Sequence, residues 1–348
     1  DFRLVIDYLV MDKNETVLFK EEKIIKGIDI SVGIVKAAVK NDGTVIFFIR
    51  ETEELSRKER RKNVKADIEQ YGLIGKDDLE EFEWEGKGLD ASFFEENDKG
   101  DFVVCNKVYE DGETKFITML FDVKNRSFEE MDEFELTKEF GLSDILLSKR
   151  QKKKAKKGKD PEPLAGLNLK ADKILQLKNG DFAAIFREKF LRVVTTTDAK
   201  GNTRTTYYYY DNDLAVVFFN SNGEIEKVTK VAKRQLAINT NATNGYHVWE
   251  DDGKLKFVFN DNKRNYEKET GKFLGVDGYT NTLSPKRSLV TLVEMEIGGD
   301  ILSRGAFNPV EFKKMVLIPS SCLTFEKEKV VQFLKVKRAK CYIGNMKV

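Results

Sequence analysis

Short aromatic and β-branched runs, bounded by Asp, Asn and Gly, recur along the whole chain. The clearest are residues 45–49, 102–105, 116–121, 214–219, 257–259, 289–295 and 315–318. Runs of this length and composition are strands, and the residues between them are hairpin chemistry. Asn41-Asp42-Gly43, Asp98-Lys99-Gly100, Asp111-Gly112, Lys178-Asn179-Gly180, Asn220-Ser221-Asn222-Gly223 and Asp251-Asp252-Gly253 all tolerate the positive φ of tight turns. Residues 2–10 also read as strand. Residues 330–348 alternate, and we expect them to pair with 2–10 and hide an exposed edge.

Some of these runs open in the same way. Gly100-Asp101-Phe102-Val103-Val104 is answered by Gly180-Asp181-Phe182-Ala183-Ala184, and Gly43 and Gly253 open further units. These glycines lie 57, 80 and 73 residues apart. A blade-type repeat takes roughly 40–50 residues, so the excess predicts insertions between strands. One insertion is residues 51–71, charged, with apolar Leu55, Val64 and Ile68 at the spacing of a weakly amphipathic helix. Another is the basic run at 149–163, too polar to pack and expected to be disordered. A third polar excursion precedes the strand at 214–219. The expected fold is all-β: a single β-propeller-like domain over residues 1–348, with about six blades. A two-domain division at 149–163 is the alternative.

Composition removes several chemistries. The chain has 348 residues, with 60 Lys+Arg against 59 Asp+Glu, for a net charge of +1. That balance gives no global field for nucleic acid. The single histidine, His247, excludes multi-histidine metal sites. The three cysteines, Cys105, Cys322 and Cys341, form no C-x-x-C, and their number is odd. Nucleotide-cradling glycine loops and the G-x-S-x-G elbow are absent, so neither a cofactor nor a metal is expected. No apolar run approaches the ~18 residues of a membrane helix. The start at Asp1 fits a removed signal peptide or a trimmed chain.

Four places could carry chemistry. In the strand Tyr207-Tyr208-Tyr209-Tyr210, two tyrosines face each side, and Tyr207 and Tyr209 are candidates to contact sugar or protein. Asp211 and Asp213 share one face of that strand. They would suit acid–base glycoside hydrolysis, although turn-forming aspartates at a strand entrance read the same way. The calcium-loop pattern fails because Ala215 and Val216 follow. Asn260, Asp261 and Asn262 would bind a polar ligand or close turns on their own backbone. His247 stands between Tyr246 and Trp249 on a strand, where a core histidine is the simpler reading.

The segment 177–265 carries a resemblance. Its landmarks are Leu177-Lys178-Asn179-Gly180-Asp181-Phe182, Tyr207-Tyr208-Tyr209-Tyr210-Asp211-Asn212-Asp213-Leu214, Asn222-Gly223-Glu224-Ile225, Lys233-Arg234-Gln235 and Phe259-Asn260-Asp261-Asn262-Lys263-Arg264-Asn265. This order resembles uncharacterised propeller-like cell-envelope proteins of certain Gram-negative bacteria. Lys227 stands where that group usually has tryptophan. The resemblance implies a propeller-like fold and a periplasmic or cell-surface location. The expected function is a non-enzymatic binding or scaffold protein of the envelope, recognising a protein or glycan through loops. The alternatives are a subunit of an outer-membrane export or uptake complex, and a glycan-active enzyme using Asp211 with Asp213 or Asp261.

Overall fold

The computed structural model describes residues 2–11, 17–27, 30–53, 68–76, 78–84, 89, 92–110, 113–136, 169–274, 287–307, 316–325, 330–337 and 340–347. The protein is all-β, a propeller-like succession of antiparallel sheets. A hairpin of β1 (Phe2–Met11) and β2 (Val17–Gly27) comes first. A four-stranded sheet follows: β3 (Ile30–Val39), β4 (Val45–Glu53), β5 (Ile68–Gly75) and β6 (Leu79–Glu83). The next holds β7 (Ser92–Glu96), β8 (Phe102–Glu110), β9 (Glu113–Asp122) and β10 (Ser127–Glu135). A five-stranded sheet contains β11 (Leu169–Gln176), β12 (Phe182–Thr197), β13 (Thr203–Phe219), β14 (Ile225–Val231) and β15 (Gln235–Ile238). Then come β16 (His247–Asp251), β17 (Lys254–Asn262), β18 (Ser288–Glu296) and β19 (Ile301–Ala306). The last sheet is β20 (Val316–Leu317), β21 (Leu323–Phe325), β22 (Val330–Lys337) and β23 (Lys340–Lys347). Most neighbours in sequence are neighbours in a sheet, because a tight turn costs little closure entropy.

The turn residues act as their chemistry requires. Gly43, Gly100, Gly180, Gly223 and Gly253 all take positive φ, and Asp252 beside Gly253 does so too. Three expectations are corrected. Residues 51–53 end β4 and 68–71 begin β5, so the insertion is shorter than 51–71, and 54–67 lie outside the described residues. The polar excursion after Gly180 is strand: β12 and β13 run on as a two-stranded arm as far as Thr197 and Thr203. Its Thr, Tyr and Val side chains suit a pleated surface whether or not they are buried. The C-terminal segment pairs with itself as β22–β23, and β1 pairs with β2. A loop of two residues closes far more cheaply than one spanning the chain. The basic run at 149–163 lies outside the described residues. Among the described residues no helix is long and apolar enough to cross a membrane.

Contacts fall into two compact units, one within Asp1–Val108, Ile117–Glu133 and Ser221–Glu224, the other within Tyr109–Phe116, Phe134–Asn220 and Ile225–Val348. The first packs around Phe48, whose ring centroid lies 5.0–6.0 Å from those of Phe82, Trp84, Phe94, Phe121 and Phe128. Such tilted and edge-on pairs add about 0.5–1.5 kcal/mol each beyond their burial. Phe82 reaches this cluster by lying across Gly72 on the adjacent strand, where a Cβ would collide with its ring. Gly72→Ala should therefore cost about 1–3 kcal/mol, the usual penalty of overpacking. An unchanged urea midpoint would show that the ring shifts freely.

The second unit has two apolar clusters. One joins Ile185, Val216, Phe218, Val248, Phe257, Phe259 and Val293 from β12, β13, β16, β17 and β18. The other joins Trp249, Val258, Val290, Leu317, Val331 and Phe333. Opposite faces of β16 feed the two clusters, through Val248 and Trp249, as the two-residue period dictates.

Candidate functional site

The polar residues singled out from the sequence all lie in the second unit, and most face inward. Asp211 and Asp213 sit inside β13, away from any strand entrance, where both of its ladders break. Toward β12 the register slips between Arg187 and Lys189, and on the other side pairing passes from β15 (ending at Asp211) to β14 (starting at Leu214). A break leaves backbone groups that need partners. The Oδ1 of Asp213 accepts the backbone N–H of Lys233 at 2.8 Å, and its Oδ2 meets Lys230 Nζ at 3.2 Å. Lys233 is fully buried and turns back into the break. Its ammonium donates to the Asp211 carboxylate, to the Asp211 carbonyl at 3.1 Å and to Gln235 Oε1 at 3.1 Å. All three donors of the ammonium are thus used. Burial pulls the Lys233 pKa down, and Asp211 opposes that shift. Arg187 completes the cluster, with Nη1 3.5 Å from Asp211 and Nη2 2.8 Å from Asp172.

Asn260, Asp261 and Asn262 end β17 and serve a second cluster. Asn260 imitates a strand partner: Oδ1 accepts Leu317 N–H at 2.9 Å, and Nδ2 donates to the Leu317 carbonyl at 2.8 Å. Asp261 is 1% exposed. Its Oδ1 accepts from Asn262 N–H (2.7 Å) and Asn265 Nδ2 (2.8 Å). Its Oδ2 accepts from Tyr266 Oη and Arg304 Nη2, both at 2.7 Å. Asn262 caps the short 3-10 turn at Lys263–Asn265 by accepting Arg264 N–H at 3.0 Å. The structure therefore gives Asp211, Asp213 and Asp261 internal cationic partners. Among the described residues no three His, Cys, Asp or Glu gather as a metal site. Cys105 and Cys322 are buried free thiols, and burial lifts Cys322 to about 11.

Two cavities lie in this second unit. The larger, about 1120 Å³, is walled by β11, β16 and β21 and by the turns beside them, with Lys173, Lys178, His247, Trp249, Glu250 and Thr324 among its lining residues. His247 Nε2 shares a hydrogen bond with Thr324 Oγ1 at 2.9 Å, and its ring stacks 5.7 Å from Trp249. Trp249 Nε1 and Glu250 Oε1 are buried without a partner. The smaller cavity, about 490 Å³, lies where the β12–β13 arm leaves the sheet, and Tyr209 and Asp211 line it. Tyr207 stands further out on the arm, 41% exposed, with Leu191 and Val193 at 50%. Lys233, Arg187, Arg304, Trp249 and Glu250 escaped the sequence reading. A basic residue directly after an apolar run, as in Phe186-Arg187, was the available signal for Arg187.

Burial and the nearby Lys173 lower His247 from 6.5 to about 4, so its ring is neutral at pH 7. The unfolded chain takes up this proton first as pH falls, so stability is lost from about pH 6.5 down to about 4. His247→Gln removes that contribution. The variant should therefore lose less stability than the parent between about pH 7 and 4.5 in urea melts. Equal losses would mean the ring is solvated in the native state.

No family model matches the chain, and no curated protein matches it. Among solved structures, it is similar to a protein of unknown function from Bacteroides caccae, at 11% identity, with 89% of this chain and 92% of that one covered, and a TM-score of 0.23. A hypothetical protein from Leishmania major aligns at 9% identity, 91% and 84% coverage, and a TM-score of 0.26. A GH43 beta-1,3-galactosidase aligns at 8% identity over 99% of this chain and 59% of the enzyme, with a TM-score of 0.25. Likeness at this level assigns no activity.

Proposed function

We propose that the protein is a non-enzymatic binding module of the bacterial cell envelope, and that its large cleft takes a neutral oligosaccharide. The observation that carries this reading is the lining of the cleft, where His247 and Thr324 stand with Lys173, Lys178 and Glu250. An imidazole, a hydroxyl, two ammonium groups and a carboxylate supply both the donors and the acceptors that the hydroxyls of a sugar require. Lysines and acidic residues line the cleft together, so it does not select for ligand charge. The ion-paired state of Asp211, Asp213 and Asp261 weighs against the hydrolytic alternative, because a general acid or base needs a lone pair open to substrate. The envelope location rests on the sequence resemblance, and fractionation of the native cells tests it.

The binding test is a glycan screen followed by calorimetry on the hits. Glu250→Gln keeps the side chain's shape and replaces one carboxylate oxygen by a donor. It should weaken binding at least ~10-fold, about 1.4 kcal/mol. Unchanged affinity in that variant would remove the cleft from the reading. Release of reducing ends from a bound glycan would establish the enzymatic alternative.

A further inference from the structure

The smaller cavity differs from the cleft in charge. Lys170, Arg187 and Lys189 line it, together with Tyr209, Asn244 and Ser320. Asp211 is the one acidic lining residue, and its carboxylate is already held by Lys233 and Arg187. Asp172 Oδ1 holds Arg187, and its Oδ2 accepts the Tyr246 hydroxyl at 2.8 Å. The fixed acids are thus spent on fixed bases. Among the described residues, Lys170 and Lys189 are exposed and have no ion-pair partner. Arg187 uses both terminal nitrogens on Asp172 and Asp211, while its Nε is buried without a partner. The cavity therefore offers a net positive wall.

The rest of the lining narrows the anion. Tyr209 supplies an aromatic side chain of the kind that packs on sugar rings, and Asn244 and Ser320 supply donors and acceptors. Asn244 is held in place, because its Nδ2 donates to the Tyr209 carbonyl at 3.1 Å. A volume of about 490 Å³ suits a small ligand. We propose that this cavity binds an acidic sugar unit, with a uronate carboxylate against Lys170, Arg187 and Lys189 and the ring beside Tyr209. The site is separate from the cleft and stands without it.

The test compares digalacturonate with neutral galactobiose by calorimetry at low and high salt. The uronate should bind, the neutral sugar should bind at least ~10-fold more weakly, and added salt should close the gap because exposed lysines are screened. The double variant Lys170→Gln, Lys189→Gln, at exposed positions, should lose the uronate at least ~10-fold, while Glu250→Gln should keep it. Inorganic phosphate serves as the competitor. Phosphate binding as tightly as digalacturonate would reduce the cavity to a plain anion site and overturn the sugar assignment. Equal binding of both disaccharides, binding to neither, or full affinity in the double variant would overturn the proposal as a whole.

Discussion

Asp211→Ala should lower the unfolding free energy of the protein by about 3–5 kcal/mol, the cost of removing one partner from a buried ion pair. The Lys233 ammonium would remain fully buried, with only the neutral Asp211 carbonyl, the Gln235 amide and the more distant Asp213 to offset its charge. The deficit should shrink at alkaline pH. In the variant Lys233 loses the group that most opposes its depression, so the native state releases its proton before the unfolded chain does. Stability then rises with pH across that window. Lys233→Met should cost less, because Asp211 keeps Arg187 at 3.5 Å. Urea melts at neutral and alkaline pH read both effects. A loss below about 1 kcal/mol would mean that water reaches the cluster in the native state. The consequence for function is direct: a variant that loses activity at Asp211 through unfolding says nothing about catalysis.

Asp261→Ala should be at least as damaging, about 3–5 kcal/mol. It removes the acceptor for four donors at once: Asn262 N–H, Asn265 Nδ2, Tyr266 Oη and Arg304 Nη2. Arg304 would keep its bond to the Ala232 carbonyl and its place over the Phe273 ring, 3.7 Å from the centroid, but would lose its counter-charge. Asp261→Asn preserves the shape and part of the bonding, so it should fall between the parent and alanine. Thermal unfolding of the three proteins orders them. Asparagine matching the parent would show that hydrogen bonding, and not charge, holds Arg304.

Both cases show why sequence pattern finds polar residues more readily than it explains them. The alternation of β13 marked Asp211 and Asp213 as sharing a face. It did not show that the face is closed, since a strand with polar residues on both sides has no buried side written into it. Closure comes from Lys233, twenty-two residues from Asp211, carried there by the step from β14 to β15. Asn260 was legible as a residue able to bind backbone groups. Its partner Leu317 lies fifty-seven residues away, and no local rule connects them.

The chain by itself determined the class of fold and most of its strands. Period-two hydrophobicity and positive-φ turn residues are local physics, and they act whatever the neighbouring sheet is doing. It also narrowed the chemistry to be expected, because a single histidine and a balanced charge are properties of composition. The tertiary structure alone decided which polar groups are buried and which line a cavity. The cleft draws on β11, β16 and β21, and the ion clusters on charges far apart in the chain. Burial and counter-charge are set by what packs against a residue, and sheet packing assembles those neighbours only after the strands have formed.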